Sequence, residues 1–458
     1  MQDILVFVPG LLGSELYDSQ GKVWPGSLIG GVFGFDDDHF RRLLAPNLTV
    51  GGLVETVGGL VDIYRRWLRA FRALTRHNKP LFSDSSNPPS LYTVPFDWRL
   101  ALEDSAADQL APVIRKARSD WGENVHIHLV AHSLGGLLSR YYLQSGRFTA
   151  DPGFSSIKTF ITFGTPHNGA PVALAGAVGL HKTSFMSIEQ SKQLANDARY
   201  PALYQTFPLF NAPLIWKSMP RGRLEPITLA DTQFVIETLH LNQKNLDRAL
   251  AFRRSLEAAP IPTEIRCFLL IGSRFETITH FFWTGSEIQK EETPDGGDGT
   301  VSIEGAYLGG SQVQFTGESH IELIDSNVAR ATFQQLFDAD GLAAPEVGRL
   351  TLSLRDLTVD LSSEVHVRIK AEGGFAHLSG QLVWERAVIP RDKKRSTAEP
   401  KFRRLASLPR VPIDYSGPIA DAVALRLQAP SRAGVYRLRL VKDARSETVS
   451  AAFVVGRP

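Results

Sequence analysis

A chain of 458 residues with 43% hydrophobic and 21% charged residues is a core-forming globular protein, long enough for two domains of which one is large. Its net charge of +2 offers no bulk electrostatic footprint for nucleic acid, and a single cysteine excludes internal disulfides. That cysteine, Cys267, lies in the apolar run "IRCFLLIG", where a buried structural thiol is the simpler reading. No apolar run reaches the ~20 residues of a membrane-spanning helix. Met1 leads straight into "DILVFVPG" with neither a basic n-region nor a cleavage site, so the expectation is a first strand, not a signal peptide, and a cytoplasmic protein.

In chain order, "ILVFVPG" is a strand ending in a Pro-Gly turn. "VDIYRRWLRAFRALTRH" carries Ile63, Tyr64, Trp67, Leu68, Phe71 and Leu74 at helical spacing with arginines between them. It predicts an amphipathic helix whose arginine face is solvated and whose apolar face packs on a sheet. "SLYTVPFDW" follows as a strand, "SAADQLAPVIRKARSDW" as a helix, "NVHIHLV" as a strand running into a helix, and "SIKTFITFGTP" as another strand. The stretches 24–35 and 171–262 show no simple period and carry many aromatic residues. This alternation, which extends to about residue 340, predicts a largely parallel sheet with helices on both faces and sites at the carboxyl ends of its strands.

Beyond residue 345 the segments "RLTLSLRDLTVDL", "EVHVRIKA", "QLVWERAVI", "AVALRLQA", "GVYRLRLV" and "TVSAAFVV" alternate with period two and are separated by turn residues. They predict a small all-β sandwich at 346–458, joined through "DADGLAAPEVG" to a first domain at 1–345. "RAGVYRLRL" resembles the penultimate strand of bacterial immunoglobulin-like modules. The basic cluster "RDKKRSTAEPKFRR" reads as a charged loop between strands.

Within "LVAHSLGGLLSRYY", Ser133 stands where the strand pattern gives way to the helical one. A nucleophile elbow belongs at such a corner, and it needs small residues two before and two after the serine because strand and helix pass close together. Here these are Ala131 and Gly135.

Four stretches together resemble the lecithin:cholesterol acyltransferase-like branch of the α/β-hydrolases, which includes lysosomal phospholipase A2 and the phospholipid:diacylglycerol acyltransferases. They are "VPGLLGSEL" after the first strand, "PFDWR" at 95–99, "AHSLGG" at the elbow, and "GDGTV" at 297–301 followed by "SHIELIDSN". "YPALYQTFP" at 200–208 and, more loosely, "VWPG" at 23–26 fit the same pattern. Ala131 departs from it, since the family's usual residue there is glycine. The resemblance implies an α/β-hydrolase fold with lid and cap insertions at 24–35 and 171–262. It also implies Ser133 as nucleophile, His320 as base and Asp298 as the carboxylate behind the histidine, in the chain order that this fold uses. Asp295 lies only three residues upstream of Asp298, and the choice between them rests on the resemblance. By the same likeness the oxyanion donors are the backbone N–H groups of Leu11 and Leu134.

Trp24, Phe33, Phe210 and Trp216 are the candidates for an apolar substrate lining. His132, His167 and His181 read as structural, Asp97 and Arg99 as a structural ion pair, and "DDDH" at 36–39 as solvated acids. No metal and no cofactor are called for. The implied activity is that of a serine-dependent lipid acyl hydrolase or O-acyltransferase that works through an acyl-enzyme on a glycerophospholipid, with transient contact at a membrane surface. A soluble carboxylesterase for small esters is the second enzymatic reading. The reading from another class is an idle hydrolase-fold scaffold that recruits a protein partner through its C-terminal sandwich.

Overall fold

The computed structural model describes residues 2–26, 36–340, 350–388, 401–441 and 449–456. Phe33, the basic stretch 391–400 and the boundary at 345/346 lie outside these residues.

Six strands form the central sheet: β1 (Gln2–Val8), β2 (Leu91–Thr93), β3 (Val125–His132), β4 (Ile157–Phe163), β5 (Arg266–Gly272) and β6 (Gln312–Thr316). All neighbours are parallel, in the order β6-β5-β4-β3-β1-β2. The last five residues of β1 and the last six of β3 are buried, as parallel strands covered on both faces must be. Because β2 and β3 flank β1 on opposite sides, the strand order reverses there, and a crevice opens at the carboxyl ends of β1 and β3. Val8 pairs with Ala131, which sets the "PGLL" turn beside His132, Ser133 and Leu134. The sheet and its connections have the α/β-hydrolase-like architecture.

The helix expected from "SAADQLAPVIRKARSDW" runs over 102–121 with a π-helical turn at Ala106–Leu110. The cause is Pro112, which has no N–H and crowds the preceding turn of an α-helix; the wider π turn relieves this. The "VDIYRRWLRAFRALTRH" helix is shorter than its periodicity suggested. Only Arg65–Arg72 is helical, with Val61–Asp62 and Thr75–Arg76 in short strands on either side. Trp67, Leu68 and Phe71 are buried, with Phe7 of β1 stacked on Trp67.

The stretch 171–262 has more regular structure than the sequence indicated. It contains helices Pro171–Val178, Ile188–Ala195, Ala202–Gln205 and Gln243–Leu256 and the strands Ile215–Ser218 and Leu224–Ile227. The two strands join the hairpin Phe275–Trp283 and Ile288–Gly297 in a four-stranded sheet, so residues from beyond β5 complete this cap. Period-based reading failed over most of this stretch because three of the four helices have only four to eight residues, too few turns for a pattern to repeat; only Gln243–Leu256, at 14 residues, is longer. Phe210, Leu214, Ile215, Val235 and Phe281 make the cap a hydrophobic core of its own.

Among the described residues from Leu350 onward, every regular element is a strand. Glu364–Val388 runs through the middle of a seven-stranded sheet and pairs along its length with Leu350–Leu354, Val411–Gln428, Lys401–Arg404 and Gly434–Val441. Its inward side chains, among them Val365, Val367, Ile369, Leu382 and Trp384, build a third core. This C-terminal unit is not a loose appendage. Val435 and Val454 belong to the same hydrophobic cluster as β1, and Lys370 reaches Glu318 at 2.8 Å.

Candidate active site

Ser133 follows the last residue of β3 and precedes the helix Leu134–Gln144, with φ 52° and ψ −125°. A non-glycine residue in this region costs about 1–3 kcal/mol and persists only when its surroundings hold it. They do: Ser133 N donates to Phe163 O at 2.9 Å, and Gly136 N donates to Ser133 O at 2.9 Å. The helix passes so close to β1 that a Cβ on Gly135 would stand 2.3 Å from the Pro9 carbonyl oxygen. Glycine is therefore obligatory at that position. Ala131, on the sheet side of the turn, is fully buried, and the site accepts its methyl group.

His320 and Asp298 arrive on two loops from beyond β5. His320 Nε2 lies 2.9 Å from Ser133 Oγ, and His320 Nδ1 lies 2.7 Å from Asp298 Oδ2. Asp298 is 1% exposed, and its other oxygen accepts the N–H groups of Thr300 at 2.9 Å and Val301 at 2.7 Å. Two amide donors hold it as the acceptor that a histidine Nδ1–H requires. Asp295 is exposed at the end of the hairpin and has no such contact with His320. A hydroxyl on an imidazole whose far nitrogen faces a buried carboxylate is the arrangement that serine acyl transfer uses. Leu11 lines the cavity beside Ser133, and Leu134 is the first residue of its helix, where the N–H has no intrahelical partner.

A second polar chain ties these loops together. Gly10 N donates to Tyr64 Oη at 2.7 Å, Tyr64 Oη lies 2.7 Å from His132 Nδ1, and His132 Nε2 lies 3.0 Å from the His320 carbonyl oxygen. The carbonyl can only accept, so Nε2 carries the proton and Nδ1 accepts from the tyrosine. Trp67 donates from Nε1 to Ile321 O at 3.0 Å, and Arg66 reaches Glu322 at 3.3 Å and Asp325 at 2.9 Å. Three neighbouring side chains, at 64, 66 and 67, thus brace the loop that carries His320. The arginine face expected to be solvated is, at Arg66, half-buried in ion pairs. Tyr64→Phe leaves two buried groups, the Gly10 N–H and His132 Nδ1, without partners, and should cost about 1–3 kcal/mol of stability for each. Urea unfolding of the variant beside the wild type measures it.

Of the remaining histidines, His167 is fully buried with Nε2 3.1 Å from Thr162 Oγ1, and His181 lines the cavity. Burial holds His132 and His167 well below the usual histidine range and pulls His181 down to about 4. Below about pH 6.5 the unfolded chain takes up protons at these positions and the folded chain does not. Stability must then fall on acidification, through pH 6.5 toward 4 for His181, by up to about 1.4 kcal/mol per pH unit for each imidazole. Urea midpoints near pH 7.5 and near pH 5 would show it, and equal midpoints would mean that the folded protein accepts these protons.

The other candidates divide. Trp24 lines the cavity, its indole N–H on Leu12 O at 2.8 Å. Phe210 is packed in the cap's own core and Trp216 lies on the cap strand Ile215–Ser218; neither is among the residues that line the cavity. Arg99 grips Asp97 with both ends, at 2.6 and 2.9 Å, entirely inside the protein, and lies over the Tyr200 ring. The "PFDWR" and "YPALYQTFP" stretches therefore meet each other, and they fasten the cap to the sheet. Asp36 caps the helix Asp37–Leu43 through the His39 N–H.

The cavity at Ser133 has a volume of about 180 Å³. Its walls are apolar on the sheet side (Leu11, Leu12, Trp24, Val54) and on the cap side (Val172, Phe185). One wall comes from an unexpected place: Arg355, Asp356 and Leu357 of the C-terminal unit. Among the described residues, no helix is long and apolar enough to cross a membrane.

Among solved structures the chain is similar to the mature lipase BlEst2 of Bacillus licheniformis (15% identity, 73% of this chain and 91% of that chain, TM-score 0.37). It is also similar to the lin2722 gene product of Listeria innocua (11% identity, 75% and 96%, TM-score 0.25) and to the phospholipase PlaB of Legionella pneumophila (10% identity, 99% and 90%, TM-score 0.26). No curated protein matches the chain. Residues 86–258, which hold β2, the elbow and most of the cap, match the model of the lecithin:cholesterol acyltransferase family, and it is this family that the chain resembles.

Proposed function

We propose that the protein is a serine-dependent lipid ester hydrolase or O-acyltransferase. The observation that carries this reading is the unbroken hydrogen-bonded run from Ser133 Oγ through His320 to Asp298, built on a serine held at positive φ. In it, His320 takes the Ser133 proton as Oγ attacks the ester carbonyl. The N–H groups of Leu11 and Leu134 receive the oxyanion, and the proton passes to the departing alcohol, leaving an acyl-Ser133. Water or a second alcohol then repeats the sequence in reverse.

The match to the lecithin:cholesterol acyltransferase family supports a lipid ester as the substrate, and we read it as a glycerophospholipid. The volume of about 180 Å³ favours a second reading, a carboxylesterase for small esters, because ordinary ligand pockets begin at ~300 Å³. Mass spectrometry of phospholipid and diacylglycerol vesicles incubated with the protein, beside its Ser133→Ala form, separates these. Lysolipid with free fatty acid, formed by the wild type alone, makes it a phospholipase A, and lysolipid with triacylglycerol makes it an acyltransferase. Neither product, with a short-chain ester still cleaved, makes it the small-ester enzyme.

We also read residues 346–458 as an immunoglobulin-like module. Two features support this: Tyr436 Oη donates to Arg432 O at 2.7 Å, four residues upstream, in the manner of a tyrosine corner, and Trp384 is buried in the unit's core beside Phe453.

A further inference from the structure

The C-terminal unit lies outside the residues that match the family, yet it touches the site at four places. The stem of Arg355 packs so closely on Gly299, next to Asp298, that a Cβ there would be 2.7 Å from Arg355 Cγ. Lys370 holds Glu318, two residues before His320, at 2.8 Å. Lys182 of the cap forms an ion pair with Asp360. Leu357, half-buried between Arg355 and the strand Thr358–Asp360, lines the cavity that contains Ser133.

The charges at this rim cancel. Arg355 is taken by Asp356 at 2.8 Å and Glu292 at 3.2 Å, and Lys182 by Asp360. No uncompensated cation remains on the 355–360 segment to select an anionic head group, so its contribution to recognition is steric and apolar. The segment is also well anchored. Leu357 O accepts the Val454 N–H at 2.8 Å, Arg355 N donates to His366 O at 3.2 Å, and Val454 is part of the main core. A wall fixed in this way cannot yield to an oversized ligand without displacing the unit.

We propose that the C-terminal unit is a working part of the substrate site, with Leu357 as the residue that sets the length of the acyl group accepted. This inference rests on the reading of the protein as a serine hydrolase. It assigns the unit a function in selectivity instead of recruitment.

Point variants test it in the full chain, since truncation would strip Val435 and Val454 from the main core. Leu357→Trp should lower the ratio of kcat/KM for p-nitrophenyl palmitate over p-nitrophenyl butyrate by about tenfold or more, the scale that a methylene-sized misfit commands in a hydrophobic pocket. Leu357→Ala should raise the same ratio, which keeps the test decisive if the larger side chain impairs folding. Ratios unchanged in the alanine variant, with fluorophosphonate labelling of Ser133 intact, would overturn the assignment while leaving the hydrolase reading in place. Absence of labelling in the wild type would overturn both and would identify the hydrolase reading as the one that failed.

Discussion

Ser133→Ala is expected to abolish covalent labelling by a fluorophosphonate and to lower ester turnover by roughly a millionfold, the scale seen when a serine hydrolase loses its nucleophile. The reason is specific to this position. The elbow holds Oγ at the cavity, 2.9 Å from His320 Nε2, and no other hydroxyl shares that imidazole among the described hydrogen bonds. The fold should survive, because the Ser133 backbone bonds to Phe163 and Gly136 do not involve the side chain. Circular dichroism and the thermal midpoint check this beside the labelling. Labelling that persists would place the nucleophile elsewhere.

Asp298→Asn should cost about 10⁴ in kcat, as replacement of a triad aspartate does elsewhere, whereas Asp295→Asn should change it little. The geometry explains the size of the effect. The Thr300 and Val301 N–H groups both point at Asp298 Oδ1, so an asparagine must put its carbonyl oxygen there and turn its NH₂ toward His320 Nδ1. That nitrogen would then have to accept, the proton would sit on Nε2, and His320 could no longer take one from Ser133. Asp295 is exposed and constrains nothing at His320. Steady-state kinetics on a soluble ester, normalised by active-site titration, measures both variants. A large loss from Asp295→Asn and a small one from Asp298→Asn would reassign the acid.

Much of the site could be read from short motifs because each encodes a local geometric demand. "AHSLGG" announces a tight strand-to-helix corner, and Gly135 is needed there because a Cβ would stand 2.3 Å from the Pro9 carbonyl oxygen. "GDGTV" encodes a turn whose amides fold back on the Asp298 carboxylate. The bracing of His320 had no comparable signature. Tyr64 and Trp67 looked like core-facing residues of an amphipathic helix, and they are buried as such, but their polar ends reach His132 and Ile321 O, 68 and 254 residues away. Of the aromatic candidates, Trp24 lines the cavity, and Phe210 is absent from its wall for a related reason. Phe210 satisfies its hydrophobicity inside a cap core whose existence depends on the distant hairpin Phe275–Trp283 and Ile288–Gly297, so composition alone pointed it toward substrate.

The alternation of strand and helix periods, the small residues at the elbow and the ordered motifs were sufficient for the parallel sheet, the placement of Ser133 at a strand end and the choice of Asp298 and His320 as residues to examine. These depend on contacts between residues close in the chain, or on turns that few residue types can make. The wall that the 355–357 turn supplies, the Lys182–Asp360 pair and the relay through Tyr64 and His132 were decided by tertiary packing alone. Each joins segments 60 to 200 or more residues apart, where a leucine, a lysine or a tyrosine carries no mark of its eventual neighbour. Only the folded chain shows that the strands after residue 350 close over the same crevice that β1 and β3 open.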